Sequence, residues 1–186
     1  MDKDKFMEEM DVQYKIATEL IEEYHAGQVD MGGEPYINHL RAVFNKVWEM
    51  QHADNHWGYN DEDVMYAKAG ITALLHDILE DTDCTEEILK ERGIRQDIID
   101  AVKFMTHDPS MSYFDYICTI ETHPIARIVK ICDLENNMDV RRLKSMTDGD
   151  LRRIRRYWAA WKYLKGEIGK TKAKNVLNTI KSINSI

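Results

Sequence analysis

The sequence predicts an all-α protein, and three observations predict it. Proline occurs only at positions 35, 109 and 124, so long stretches are free to be helical. Apolar residues recur at three- and four-residue spacings almost everywhere else. No run alternates polar and apolar residues well enough for a half-buried strand. A chain of 186 residues, 44% hydrophobic and 31% charged, is long enough to bury one full core, and a single domain over residues 1–186 is expected.

The first helix is expected over roughly Lys3 to His25, carrying Phe6, Met10, Ile16, Leu20 and Tyr24, with Gly27 ending it. A loop from Gln28 to Tyr36 holds Gly32, Gly33 and Pro35. The second helix begins near His39 and is expected to bury Leu40, Val43, Phe44, Val47 and Trp48. His52 to Asn60 reads as a polar connection with some aromatic character, and the third helix runs from about Asp61 to Asp81. A short helix near Thr85 to Arg92 is closed by Gly93, and another runs from Arg95 to about Met105. Thr106-His107-Asp108-Pro109-Ser110 breaks the pattern. Ser112 with Asp115 resembles a capping box opening a helix to about Thr122, and Pro124 suits the first turn of the next. Two more helices, about Asp148–Lys165 and Lys170–Ser182, finish the chain, with neither an internal repeat nor a disordered tail expected.

The third helix carries the chemistry. At about 100° per residue, Ile71, Leu74, Leu75, Ile78 and Leu79 gather on one side and His76, Asp77, Glu80 and Asp81 on the other. A polar side usually faces solvent. Here Ala69, Gly70 and Ala73 continue it towards the N-terminus, where a solvated face would carry lysine, glutamate or glutamine. Small residues let another helix approach closely, so the helix is expected to be buried on both sides. Three carboxylates and an imidazole on such a helix need a metal, a partner or a function.

Net charge is −8, unevenly spread. From Val140 onward there are 13 Lys+Arg against 3 Asp+Glu, whereas residues 1–139 hold 12 against 30. An acidic body argues against nucleic-acid binding. The basic end either receives phosphates or neutralises that body. No apolar run approaches the roughly 20 residues of a membrane span, and Met1-Asp2-Lys3-Asp4-Lys5 has no signal-peptide character. Cys84, Cys118 and Cys132 fit no metal or redox spacing and read as reduced core thiols of a cytoplasmic protein.

His76 and Asp77 are neighbours that can both turn towards one ion. Asp133, between Cys132 and Leu134 on an apolar helix, and His39, after a Gly-Gly-Glu-Pro turn, are candidates to complete the set, although a histidine at a helix start can equally be a cap or core residue. Two imidazoles and two carboxylates suit Mn²⁺, Fe²⁺ or Zn²⁺. Glu80 and Asp81 lie one turn beyond, either as the solvated end of a helix or as groups that exchange protons with water activated by such an ion.

These blocks resemble the HD superfamily of metal-dependent phosphohydrolases, and within it the RelA/SpoT-type alarmone hydrolases. The matching segments are His25-Ala26-Gly27-Gln28 with Gly33-Glu34-Pro35-Tyr36-Ile37-Asn38-His39, then Leu75-His76-Asp77-Ile78-Leu79-Glu80-Asp81-Thr82. Val102-Lys103-Phe104-Met105-Thr106 and Val129-Lys130-Ile131-Cys132-Asp133-Leu134-Glu135-Asn136-Asn137-Met138 follow in family order. The resemblance implies a helical HD-type bundle over residues 1–186 in which His39, His76, Asp77 and Asp133 bind the metal, commonly Mn²⁺, and Glu80 and Asp81 handle the attacking water. It implies that Asn137 contacts ribose and phosphate. Arg153 and Tyr157 resemble a pair lining the nucleotide pocket of small single-domain members; read alone, they are a surface arginine and a core tyrosine.

One departure stands out. Alarmone hydrolases usually carry Arg-Lys shortly after the Gly-Gln, where they hold purine and phosphates; here those positions are Asp30 and Met31. Asp30 is therefore expected to turn a negative charge towards any phosphate placed there. No synthetase domain fits beside the HD unit in 186 residues. The resemblance thus implies a cytoplasmic hydrolase of a phosphorylated nucleotide, such as guanosine-3′,5′-bis(diphosphate), with no nucleic-acid or membrane partner and an oligomeric state left open. A phosphatase of another nucleotide or nucleotide cofactor remains an alternative. So does a non-catalytic nucleotide-sensing module, although Glu80 and Asp81 count against it, because binding alone does not need them.

Overall fold

The computed structural model of the chain describes residues 3–52 and 61–182. The connection expected after His52 and the last four residues of the chain lie outside the described residues. The elements are α1 (Lys3–Tyr24), α2 (Ile37–His52), α3 (Asp61–Leu75), α4 (Ile78–Asp81), α5 (Glu86–Glu91), α6 (Gln96–Met105), α7 (Tyr113–Glu121) and α8 (Pro124–Asn137). A 3₁₀ turn (Val140–Arg142), α9 (Asp148–Leu164) and α10 (Lys170–Ser182) follow. Among the described residues the one extended pairing is an isolated bridge between Val29 and Pro35. No described helix is long and apolar enough to cross a membrane.

Helix α3 is the axis of the packing, and every residue from Ala69 to Leu75 is buried. Ala69 and Ala73 pack into one apolar cluster with residues of α2, α7, α8, α9 and α10. Ile71, Leu74 and Leu75 pack into a second, with residues of α1, α5 and α6. A helix with small residues on one side and large ones on the other is thus enclosed on both. At Gly70 the approach is close: a Cβ there would sit 3.2 Å from Phe44 Cε2 on α2.

Local signals set the other boundaries. The Ser112 side chain accepts from the Asp115 N–H, Thr147 and Asp150 form a reciprocal capping box, and Pro124 occupies the first turn of α8. Cys84 and Cys132 are buried and Cys118 half-buried.

Two expectations are corrected. The third helix does not run unbroken to Asp81; it stops at Leu75, and a short α4 resumes at Ile78. His76 Nδ1 takes the Ala73 carbonyl at 2.8 Å, the acceptor to which a continuing helix directs the Asp77 N–H. Asp77 then sits at φ −104°, ψ 0°, the sparsely populated bridge region. The second correction is Trp48, which is 59% exposed and packs against the tilted His52 ring rather than entering the core. It lies one residue, about 100°, beyond Val47 and so falls off the buried stripe of Leu40, Val43 and Val47.

Candidate metal centre and substrate cavity

Three separated parts of the chain deliver the four expected ligands to one place. His39 comes from the first turn of α2, His76 and Asp77 from the break between α3 and α4, and Asp133 from α8. Ligand atoms of His39, His76 and Asp77 lie within 4.8 Å of one another. Asp133 Oδ1 is 3.3 Å from His39 Nε2 and 3.6 Å from His76 Nε2. Asp77 Oδ2 is 2.9 Å from His76 Nε2 and 3.7 Å from His39 Nε2.

The donor set fits a divalent cation. His39 Nδ1 bonds Asn136 Oδ1 at 2.8 Å, and His76 Nδ1 bonds the Ala73 carbonyl. With Nδ1 protonated in each ring, both Nε2 lone pairs point into the cluster, the arrangement a metal-ligating histidine needs. His76 Nε2 is buried and makes no well-directed hydrogen bond, so its lone pair is available to an ion. In the cluster as it stands, burial disfavours the His76 imidazolium, yet Asp77 and Asp133 outweigh this and raise its pKa to about 10. Burial likewise opposes ionisation of Asp77, and His76 overcomes it and holds Asp77 near 2. A proton on His76 answers the carboxylates that a cation would answer.

Around the cluster stand residues that sequence reasoning missed. Tyr36 Oη donates to Asp77 Oδ2 at 2.5 Å and reaches Asp81 Oδ2 at 3.3 Å. Lys130 Nζ is 2.9 Å from Asp133 Oδ2, which lies well below the usual carboxylate range: burial opposes its ionisation, but Lys130 and the two histidines overcome it. Asn137, which the resemblance had already singled out, donates from Nδ2 to Asp133 Oδ1. The signal for Lys130 and Asn136 was their spacing, three residues to either side of Asp133 and therefore on its helical face. Tyr36 likewise precedes His39 by three.

His39, Asp77 and Asp133 of the cluster line a cavity of about 460 Å³, while His76 is fully buried. Glu80, Asn137, Arg153 and Tyr157 all line it; Asp81 is not among the lining residues and connects to the cluster through Tyr36. Glu80 Oε2 accepts the His107 N–H at 2.9 Å, which aims its carboxylate. Burial and the nearby Asp77 carboxylate raise the pKa of Asp81. Arg153 is ion-paired with Asp150 at 2.7 Å. Arg142, Arg153 and Arg156 bring the basic end of the chain to the cavity wall, so that end does more than neutralise the acidic body.

Asp30 is not the bare negative charge expected of it. Its Oδ2 pairs with Arg142 Nη2 at 2.8 Å, and its Oδ1 accepts the N–H groups of Gly32 and Glu34. Those bonds and the Arg142 charge together overcome partial burial and lower its pKa. Gly32 permits the contact, because a Cβ there would collide with the Arg142 carbonyl oxygen.

No family model matches the chain. It is 32% identical over 142 residues to the guanosine-3′,5′-bis(diphosphate) 3′-pyrophosphohydrolase of Haemophilus influenzae, covering 70% of this chain and 18% of that protein. It is 42% identical over 76 residues to the protein of the same name from Aquifex aeolicus, covering 41% of this chain and 9% of that one. The chain therefore spans less than a fifth of the length of these relatives. A solved structure of a metazoan SpoT ortholog that hydrolyses ppGpp superposes with a TM-score of 0.61 at 18% identity, covering 93% of this chain and 95% of that one. At that identity the likeness concerns the all-α fold. The chain is thus similar in sequence to a part of these pyrophosphohydrolases and shares the all-α fold of the SpoT ortholog, as the HD-type resemblance of its motifs led one to expect.

Proposed function

We propose that this chain is a metal-dependent phosphohydrolase of a phosphorylated nucleotide, and that removal of the 3′-diphosphate of ppGpp is its best reading. The observation that carries it is the His39, His76, Asp77 and Asp133 cluster opening onto a cavity with Glu80 and several cations in its wall. A volume of about 460 Å³ suits a small molecule rather than a polymer. A divalent cation held by those four residues, Mn²⁺ first and Fe²⁺ or Zn²⁺ as alternatives, would supply Lewis acidity and make water a better nucleophile.

The chain's own groups supply the rest. Tyr36, Lys130 and Asn136 fix the ligands in place. Glu80, aimed by the His107 N–H, takes the proton of the attacking water as its oxygen bonds to phosphorus. The P–O3′ bond breaks, diphosphate leaves, and the ribose oxygen regains a proton. Asp81, linked through Tyr36 to Asp77, assists this proton traffic. Asn137, Arg153 and Tyr157 hold the nucleotide, and the cationic wall offsets the growing charge. We place the reaction in the cytoplasm.

A second reading, a phosphatase of another nucleotide or nucleotide cofactor, is favoured by one observation: Asp30 and Met31 replace the loop's usual Arg-Lys. Both readings face one experiment, a screen of phosphorylated nucleotides including ppGpp on Mn²⁺-, Fe²⁺- and Zn²⁺-loaded protein. Metal-dependent release of diphosphate from ppGpp supports the first, and release of phosphate from another nucleotide the second. Absence of metal-dependent turnover of any nucleotide overturns both.

A further inference from the structure

We propose that Arg156, Tyr113 and Lys130 form a separate pole for a phosphoryl group of the substrate on the α7–α8–α9 side of the cavity. This rests on the phosphohydrolase reading and deepens it. All three residues line the cavity. Arg156 and Tyr113 each carry a buried donor that no described residue answers, and Lys130 is paired with Asp133 of the ligand cluster.

The arginines of the wall make the contrast. Arg142 is paired with Asp30 and Arg153 with Asp150. Arg156 has no carboxylate partner among the described residues; its guanidinium carbon lies 4.8 Å from the Tyr113 ring centre and 5.6 Å from that of Tyr157. Its Nε is buried without a hydrogen-bond partner, and so is Tyr113 Oη. Two unsatisfied buried donors on neighbouring side chains are unfavourable unless a ligand meets them. The faces of two rings offset only part of that cost for a cation.

Charge gives the ligand's class. Lys130 and Arg156 bring two positive charges to this wall, and among the described residues the carboxylate that pairs with either is Asp133, already a member of the ligand cluster. A planar guanidinium, a hydroxyl donor and an ammonium match the several oxygens of a phosphoryl group. The guanidinium lies near both the Tyr113 and Tyr157 rings, and its planar fork can offer two parallel N–H···O bonds to a phosphoryl group. Lys130, touching both Asp133 and this wall, places the bound phosphoryl group beside the metal cluster.

The test is calorimetric titration of inorganic phosphate into Mn²⁺-loaded protein, with bound metal measured on every preparation. Arg156→Gln is expected to weaken phosphate binding about tenfold or more, and Tyr113→Phe several-fold, with metal content and melting temperature unchanged. Arg156→Lys, which keeps the charge and loses the fork, falls between. Wild-type phosphate affinity in both Arg156→Gln and Tyr113→Phe overturns the pole, as does loss of guanosine binding alone, which would make the wall a base platform. The two readings fail separately. If both variants bind phosphate normally while the wild type hydrolyses a nucleotide, the pole falls and the hydrolase stands; loss of phosphate binding in the variants with no nucleotide turned over leaves the pole standing without the hydrolase.

Discussion

Asp30 Oδ2 and Arg142 Nη2 lie 2.8 Å apart, and this pair joins the loop over the cavity to a candidate metal ligand. Arg142 Nη1 donates to Asn136 Oδ1, the same oxygen that holds His39 Nδ1. The acidic residue of this loop therefore has a partner from a different part of the chain. Asp30, Arg142, Asn136 and His39 form one connected arrangement.

Restoring the cations should then be harmful. Asp30→Arg with Met31→Lys sets a second guanidinium against Arg142 and releases the Asn136–His39 contact. Loss of a charge-assisted hydrogen bond corresponds to about tenfold or more, so kcat/KM for ppGpp is expected to fall by that order. Steady-state kinetics on metal-loaded protein decide it, and a gain in kcat/KM would show that the pair does not organise the site.

Tyr36→Phe removes one hydroxyl and leaves the ring. Burial and the Asp77 carboxylate raise the Tyr36 pKa, so the phenol stays protonated and donates to Asp77 throughout the ordinary pH range. Outer hydrogen bonds to metal ligands are typically worth about 10–100-fold in affinity, and a loss of that size is expected in a metal titration. Unchanged affinity would make the tyrosine a wall residue only.

Glu80→Gln keeps an oxygen for the His107 N–H but cannot accept the water's proton. A kcat lowered by about 10²–10⁴-fold with normal bound metal is expected. Asp81→Asn should cost less, because Asp81 reaches the cluster through Tyr36. His76→Ala should lose metal and activity together. Near-normal turnover in Glu80→Gln would falsify the assignment of the proton acceptor.

Without metal, His76 titrates near 10, above its ordinary 6.5. The folded protein therefore binds the proton more tightly than the unfolded chain does. That contribution to stability is complete below about pH 6.5 and is lost as pH rises through about 10. The melting temperature of metal-free protein is expected to fall across this window. A metal ion must displace the proton, so at pH 7 loading should release about one proton per ion and tighten with pH. Calorimetry in buffers of different ionisation enthalpy measures that count, and a count of zero would overturn the ligand role of His76.

The helical fold was legible because it rests on short-range pattern, apolar periodicity and caps, and the His76-Asp77 pair stood out on a helix lined with alanine and glycine. His39 and Asp133, far away in the chain, were assigned to the cluster only through the resemblance of their segments to HD-type sequences. The residues around the cluster were less legible. The partnership of Asp30 with Arg142 joins positions far apart in the chain through a side-chain angle that no local spacing encodes. Arg156 lies beside Tyr157 in sequence, yet its lack of a carboxylate partner becomes visible only when the carboxylates taken by its neighbours are known. The break at His76 was also hidden, since it depends on the ring capturing the Ala73 carbonyl rather than on any helix-breaking residue.

The close approach of Gly70 to Phe44 reaches beyond packing. Phe44 follows His39 on α2, and Gly70 lies on α3, which ends at Leu75 just before His76, so the two helices that position the imidazoles are gauged against each other where neither imidazole takes part. A single methyl at Gly70 must push the Phe44 ring by a few tenths of an ångström. Differences in ionic radius among divalent metals are of a similar order. The preference of the centre among such ions is accordingly open to adjustment by mutation at a position that no ion ever touches, which gives a protein engineer a control on metal choice independent of the ligands.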